Sequence, residues 1–187
     1  MTRVALVDED RGVATGAVEA EPERLDPSAF GLLYEKHRLA VFRYLRARAP
    51  SEDDALDLTA VTFERAFASL GRFRRRDGGV RAWLFRIARN TAIDAHRRRR
   101  QSVDLAGADA HLGRIAVEAD RLHNESTEIL DLIDRLPHEQ GEALLLRYAG
   151  GLTAREIGVA IGKREGAVQK QIERGLAALR EAFDDHA

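Results

Sequence analysis

From Asp26 onward the chain repeats one pattern: apolar positions spaced three and four apart, then a short polar break. That spacing places side chains on one face of an α-helix, whereas a strand would need alternation. Asp26-Pro27-Ser28 supplies a capping oxygen and a proline for a first turn. Phe30, Leu33, Tyr34, His37, Val41 and Tyr44 then mark the inner face of a helix ending near Pro50. Ser51 with Asp54 resembles a capping box, with Asp in place of the usual Glu. Ala55, Leu58, Thr62, Ala66 and Leu70 define a second helix stopped by Gly71. A third runs from about Val80 to Arg100 after the loop Arg72 to Gly79. Its core face is predicted to hold Val80, Leu84, Ile87, Ala88, Thr91 and Ala95.

Between 101 and 124 the periodicity fades into Gly, Ala, Ser and Asp, the composition of a flexible linker. It resumes at Ile129, Leu132, Ile133 and Leu136, breaks at Pro137, and continues through Ala143, Leu144 and Leu146 to Gly150-Gly151. Two more helices are expected at about 153–161 and 165–183. The fold class is therefore all-α, with two small helical domains at 26–100 and 125–187 joined by the linker 101–124. Residues 1–25 are acidic and aperiodic and are expected to form a disordered tail.

Composition narrows the function. With no cysteine, the 187 residues can form neither a disulfide nor a thiolate metal site. The six histidines lack metal-ligand spacing, and neither a nucleophile–base pairing nor a phosphate loop occurs. No catalytic residue, metal or cofactor is expected, and an enzyme is not the reading. No apolar run approaches the roughly 20 residues that span a bilayer, nor does the N-terminus carry a signal-peptide core. A cytoplasmic protein without membrane insertion is expected.

The net charge of −1 conceals segregation. Residues 1–27 carry −4, whereas residues 71–100 hold eleven arginines against Asp77 and Asp94, a net of +9. A field that concentrated points to a polyanionic partner. On the third helix, Trp83, Arg86, Arg89, Asn90, Arg97 and Arg100 are expected opposite the core face. The preceding loop adds Arg72, Phe73, Arg74, Arg75 and Arg76. Arginine forks match phosphates, Asn can bond a base edge, and aromatic rings stack on unpaired bases. For any one arginine a merely solvated position is the better account, and Trp83 reads as either core or stacking platform.

Toward the C-terminus, Thr153 and Glu156 form a T-x-x-E capping box. Gly158 is small where two helices should cross, Gly162 suits a positive-φ turn, and Val168 should anchor the next helix. This is the pattern of a helix-turn-helix. Val168, Ile172, Leu176 and Leu179 form its buried stripe, and the early part of the second helix would enter a major groove.

Taken together these residues resemble the extracytoplasmic-function group of the sigma-70 family. The first module is similar to its region 2 in Leu33-Tyr34, the stretch Asp54 to Phe63, the string Trp83 to Asn90, and Asp94 with Arg97-Arg98. The second is similar to region 4 in Leu136-Pro137, Arg147-Tyr148, Gly151-Leu152-Thr153, Glu156-Ile157, Gly162 and Gly166-Ala167-Val168. The resemblance covers about 28–100 and 125–183. It implies an alternative sigma factor that binds the RNA polymerase core at its clamp and flap and directs initiation at promoter DNA, duplex and melted. The implied minus-10 contacts are Arg72, Phe73, Arg74, Arg75, Arg76, Trp83, Arg86, Asn90 and Arg97. Those for minus-35 are Arg164, Gly166, Gln169, Lys170, Gln171 and Arg174. Polymerase contacts fall on Asp54, Asp57, Leu58, Val61, Thr62, Glu64 and Arg65. An anti-sigma factor is a further implied partner, and the protein would sit on the nucleoid when bound to polymerase.

The chain departs from the family pattern at Leu56, Ala60 and Val61 of the docking helix, where acidic and amide residues are common. The family's V-K-S-R is Val168-Gln169-Lys170-Gln171 here. Two other readings stay open. One is a sigma mimic that sequesters an anti-sigma protein; the other is a stand-alone helix-turn-helix regulator, which would dimerise on two half-sites.

Overall fold

The computed structural model describes residues 25–74, 78–106 and 126–184, with backbone alone at 102–106 and 126–128. Among the described residues there are helices and no strands. Residues 1–24 of the expected tail and 107–124 of the expected linker lie outside the described residues, as do Arg75 and Arg76, while Leu25 packs against the core and 101–106 continue a helix.

The first module is three helices: α1 (Phe30–Arg46), α2 (Glu52–Ser69) and α3 (Gly79–Ala106). A short 3-10 turn at Pro27–Ala29 leads in, with the Asp26 carboxylate accepting from the Ser28 backbone N–H at 2.8 Å. Ser51 caps α2 by accepting from the Asp54 N–H at 3.1 Å. Three acidic residues in the first turn of α2 favour its positive dipole end. Leu33, Val41, Tyr44 and Leu45 of α1 meet Phe63 and Ala66 of α2 and Leu84 and Ala88 of α3 in one core. Phe30 and Tyr34 pack edge-on against Phe63, at centroid distances of 6.3 and 4.8 Å. α3 runs six residues past its expected end, to Ala106.

The second module holds α4 (Ser126–Arg135), α5 (His138–Tyr148), α6 (Ala154–Ile161) and α7 (Glu165–Asp184). Pro137 separates α4 from α5, since the residue before a proline avoids helical backbone. The α6 capping box forms as expected: the Glu156 N–H donates to Thr153 Oγ1, and the Thr153 N–H donates to Glu156 Oε2 at 2.7 Å. Gly162 closes α6 at φ +71°, where a Cβ would be strained. Gly158 is needed for a different approach from the one expected. A Cβ there would lie 2.6 Å from the Lys163 carbonyl oxygen, so the glycine accommodates the turn backbone and not a crossing helix. Val168 is buried, as expected, while Ile172, Leu176 and Leu179 are half-buried. Gly175 lets Leu144 sit directly on α7.

The two modules pack on each other, and their buried side chains form one continuous core. α3 is the central element. It touches α1 and α2 on one side and α6 on the other. That explains why Val80, Ala82, Trp83, Leu84, Phe85, Ala88, Thr91 and Ala92 are all buried on it, a wider arc than a single core face provides.

Candidate nucleic-acid interface

Three surfaces contain the residues singled out by sequence. The first is the outer edge of α3 with its preceding loop. Arg86, Asn90 and Arg97 are exposed there, and none makes an ion pair with a described residue. His96, Arg98, Arg99 and Arg100 extend the exposed stretch, with Arg99 3.4 Å from Asp54. Arg72 is exposed in the loop; Arg74 folds back, donating to the carbonyls of Gly71 and Phe73 at 2.9 and 2.8 Å. Arginines spaced along one helix edge present forks to successive phosphates of a strand.

Two expected members of this surface are corrected. Trp83 is 3% exposed and Phe73 fully buried, their rings packed edge-on at 5.3 Å. Trp83 lies inside because Phe73 returns from the loop to cover it. Neither ring presents a face on which a base could stack. Arg89, also expected on the outer arc, turns toward the second module, 3.5 Å from Glu142.

The second surface is the start of α7. Arg164, Gly166, Gln169, Lys170 and Arg174 are exposed on it. Gln171 is half-buried, its amide donating to Glu139 of α5 at 3.1 Å. The Lys163 ammonium donates to the same carboxylate at 2.6 Å, and that hydrogen bond and charge hold Glu139 below its usual carboxylate range. These ties fix the α6–α7 turn against α5 and so set the angle at which α7 projects.

The third surface is α2. Asp57 and Glu64 are exposed, and Asp54, Leu58 and Val61 are half-buried. Arg65 donates to Asp94 at 2.8 Å and to the Thr91 hydroxyl at 3.2 Å, bracing α2 on α3. Thr62 is corrected as a surface contact: it is fully buried and its hydroxyl donates to the Leu58 carbonyl at 2.7 Å. Of the three atypical positions of this helix, Leu56 and Ala60 are exposed and Val61 is half-buried.

A cluster that the periodicity did not reveal lies between the modules. Glu142 of α5 is 4% exposed and accepts from the Tyr44 hydroxyl at 2.8 Å and from the Arg48 guanidinium. Burial pushes the Tyr44 phenol far above its ordinary range, so it stays a donor. Arg81 donates to the carbonyls of Gly150, at 3.2 Å, and Gly151. A Cβ on Gly150 would meet Phe85 at 2.7 Å, which shows how closely the backbone is approached. The one trace in the sequence is an acid beside the apolar run Ala143 to Leu146, which a solvated position explains equally well.

No group of three acidic or histidine side chains able to hold a metal occurs among the described residues, and no described helix is long and apolar enough to cross a membrane.

Comparison with known proteins gives a consistent result. The family model for Sigma-70 region 2 matches residues 33–102, and that for Sigma-70, region 4 matches residues 126–179. The ECF RNA polymerase sigma factor SigD of Mycobacterium tuberculosis is 33% identical over 183 residues, 91% of this chain and 84% of SigD. The ECF RNA polymerase sigma factor BldN of Streptomyces coelicolor is 32% identical over 166 residues. That alignment takes in 87% of this chain and 63% of BldN, so the chain spans under two thirds of that relative. Among solved structures, CnrH in complex with the cytosolic domain of CnrY has a TM-score of 0.65 at 26% identity, covering 87% of this chain and 92% of that one. The sigma factor RpoE of Bartonella quintana, in complex with the anti-sigma factor NepR, also has a TM-score of 0.65; at 19% identity it supports the fold alone.

Proposed function

The chain belongs to the sigma-70 family, with region 2 followed by region 4, and from that premise we infer that it is an alternative sigma factor of the extracytoplasmic-function group that directs RNA polymerase to promoters. The observation that carries this reading is the outward row Arg86, Asn90 and Arg97 on α3, in the same chain as a helix-turn-helix that presents Arg164 just before α7 and Gln169, Lys170 and Arg174 on it. A helix-turn-helix alone accounts for duplex reading. A second, strongly basic helix edge accounts for holding a strand of the opened duplex.

In this reading Arg164, Gly166, Gln169, Lys170 and Arg174 meet the minus-35 element. Gln171 positions the helix through Glu139. Arg72, Arg74, Arg75, Arg76, Arg86, Asn90 and Arg97 track the minus-10 region. Asp54, Asp57, Leu58, Val61, Glu64 and Arg65 dock on the polymerase clamp, and the second module on its flap. The polymerase carries the bond-forming chemistry, so this chain contributes positioning and no catalytic group. Its place is the cytoplasm, on the nucleoid when polymerase-bound. The likeness to CnrH, solved in complex with the cytosolic domain of CnrY, supports a protein partner as well, which this reading takes to be an anti-sigma factor. The proposed organisation is a tail at 1–24, modules at 25–106 and 125–187, and a linker at 107–124, since α3 runs on to Ala106 and Leu25 packs against the core.

The test is reconstituted transcription. Purified chain added to core polymerase is expected to yield a discrete run-off product from its promoter, and Arg86→Ala with Asn90→Ala is expected to reduce promoter opening at least tenfold. A chain that never associates with core polymerase contradicts the reading.

A further inference from the structure

Glu139 stands at the start of α5, yet both of its carboxylate oxygens are committed to the helix-turn-helix. Oε1 accepts from the Lys163 ammonium at 2.6 Å, in the turn before α7. Oε2 accepts from the Gln171 amide at 3.1 Å, on α7 itself. An ionised carboxylate only accepts hydrogen bonds, so the amide has to offer it the Nε2 side. Lys163 keeps Glu139 ionised at neutral pH, by its hydrogen bond first and its charge second. The neighbouring cations Arg164, Lys170 and Arg174 are exposed and form no ion pair with a described residue.

Each commitment removes a group that a duplex would engage. A glutamine reads adenine by donating to N7 while accepting from N6, which needs the whole amide edge in the groove. Turned onto α5, Gln171 does not present that edge. An ammonium already paired with a carboxylate is neutralised, so it displaces no counterion from a phosphate. The Lys163 and Glu139 side chains are 45% and 54% exposed, so the withholding has the modest size of a surface ion pair. These two ties trim the angle of α7; its seat on α5 is apolar. Leu144 lies against Gly175, and Val168 is buried. Loss of the Glu139 carboxylate therefore leaves the helix in place.

We propose that Glu139 is a specificity-determining residue of the helix-turn-helix: it withholds the Gln171 amide and the Lys163 ammonium from duplex DNA and leaves Arg164, Gln169, Lys170 and Arg174 to read it. This role rests on the reading of α7 as the helix that meets the upstream promoter element.

The test uses the full chain assembled with core polymerase and offered duplexes with a randomised upstream element. The sites that wild type enriches are the reference. Glu139→Ala is expected to add an adenine at one position, enriched several-fold, and to lose it again when combined with Gln171→Ala. Titrations of a wild-type-selected duplex at several salt concentrations supply the second readout. Glu139→Ala is expected to bind it roughly two- to fivefold more tightly and to steepen the salt slope of log affinity by about 1. Both gains should vanish when Lys163→Ala is added. Glu139→Gln keeps an acceptor for Gln171 but no charge for Lys163. It should show the salt effect without the new adenine, and it guards against a folding defect in the alanine variant. Weaker binding by Glu139→Ala at an unchanged slope would make Glu139 a brace alone and overturn the proposal. So would an unaltered base preference, or a gain in affinity that survives Lys163→Ala and so comes only from removing a negative charge near DNA. If wild type enriches no duplex, the functional reading fails and the proposal with it; enrichment by wild type that Glu139→Ala leaves unchanged overturns the proposal alone.

Discussion

At the scale of single residues, burial separates side chains that hold the site from those that present it. Trp83 and Phe73 belong to the first kind. Trp83→Ala should cost about 3–5 kcal/mol of stability, the range for deleting a large buried ring. Arg86→Ala, at an exposed position, should leave stability within roughly 0.5 kcal/mol while lowering promoter opening. Thermal melting of both variants checks this, and an unchanged melting temperature for Trp83→Ala would return that residue to the surface. His37 gives a pH prediction. Burial first, and then the Arg81 charge, lower its pKa from 6.5 to about 4, with Lys36 adding to the effect and Glu156 opposing it. The folded chain thus binds the His37 proton less readily than the unfolded chain. Stability is complete above about pH 6.5 and falls as pH drops toward 4, by on the order of 3 kcal/mol. Melting temperatures measured between pH 7.5 and 4.5 should fall along that window. The fall should be smaller in His37→Leu; an equal fall in both assigns the acid sensitivity to other groups.

At the scale of elements, helices were legible wherever one face met one core. The Asp26 and Ser51 caps, the Thr153–Glu156 box and the Gly162 turn all follow from local chemistry, and the structure contains each. α3 was legible as a helix but not in its faces. Periodicity assumes one buried side, and α3 is buried on two because α6 covers the arc that would otherwise be solvated. Two further residues expected outside have other covers: Phe73 lies on Trp83, and Arg89 turns to Glu142 of α5. Gly158 was legible as a close approach, yet its partner, the Lys163 carbonyl, could not be named from spacing. For α7 the exposed cations make a quantitative prediction. Arg164→Ala and Arg174→Ala should each weaken upstream-element binding and lower the salt slope of log affinity by about 1. Binding titrations at several salt concentrations test this; a slope that does not change would place those guanidinium groups off the phosphates.

At the scale of the molecule, sequence identifies two modules of known kind but not their relation. The pieces that join them, Tyr44, Arg48, Arg81, Arg89, Glu142 and Gly150, lie up to 106 residues apart, and no local pattern links them. Segregated charge carries more meaning here than net charge. The +9 segment from 71 to 100 is both the proposed strand-holding edge and, through Arg81 and Arg89, part of the contact with the second module. Those two arginines are engaged within the chain, while Arg86, Asn90 and Arg97 stay presented. The central claim is that one chain reads two promoter elements for polymerase. It is tested most directly by mapping transcription start sites after overexpression in the native host. The account predicts new starts that share one two-block motif at minus-35 and minus-10, lost in the Arg86→Ala, Asn90→Ala chain. New starts preceded by unrelated sequences, or none at all, would contradict it.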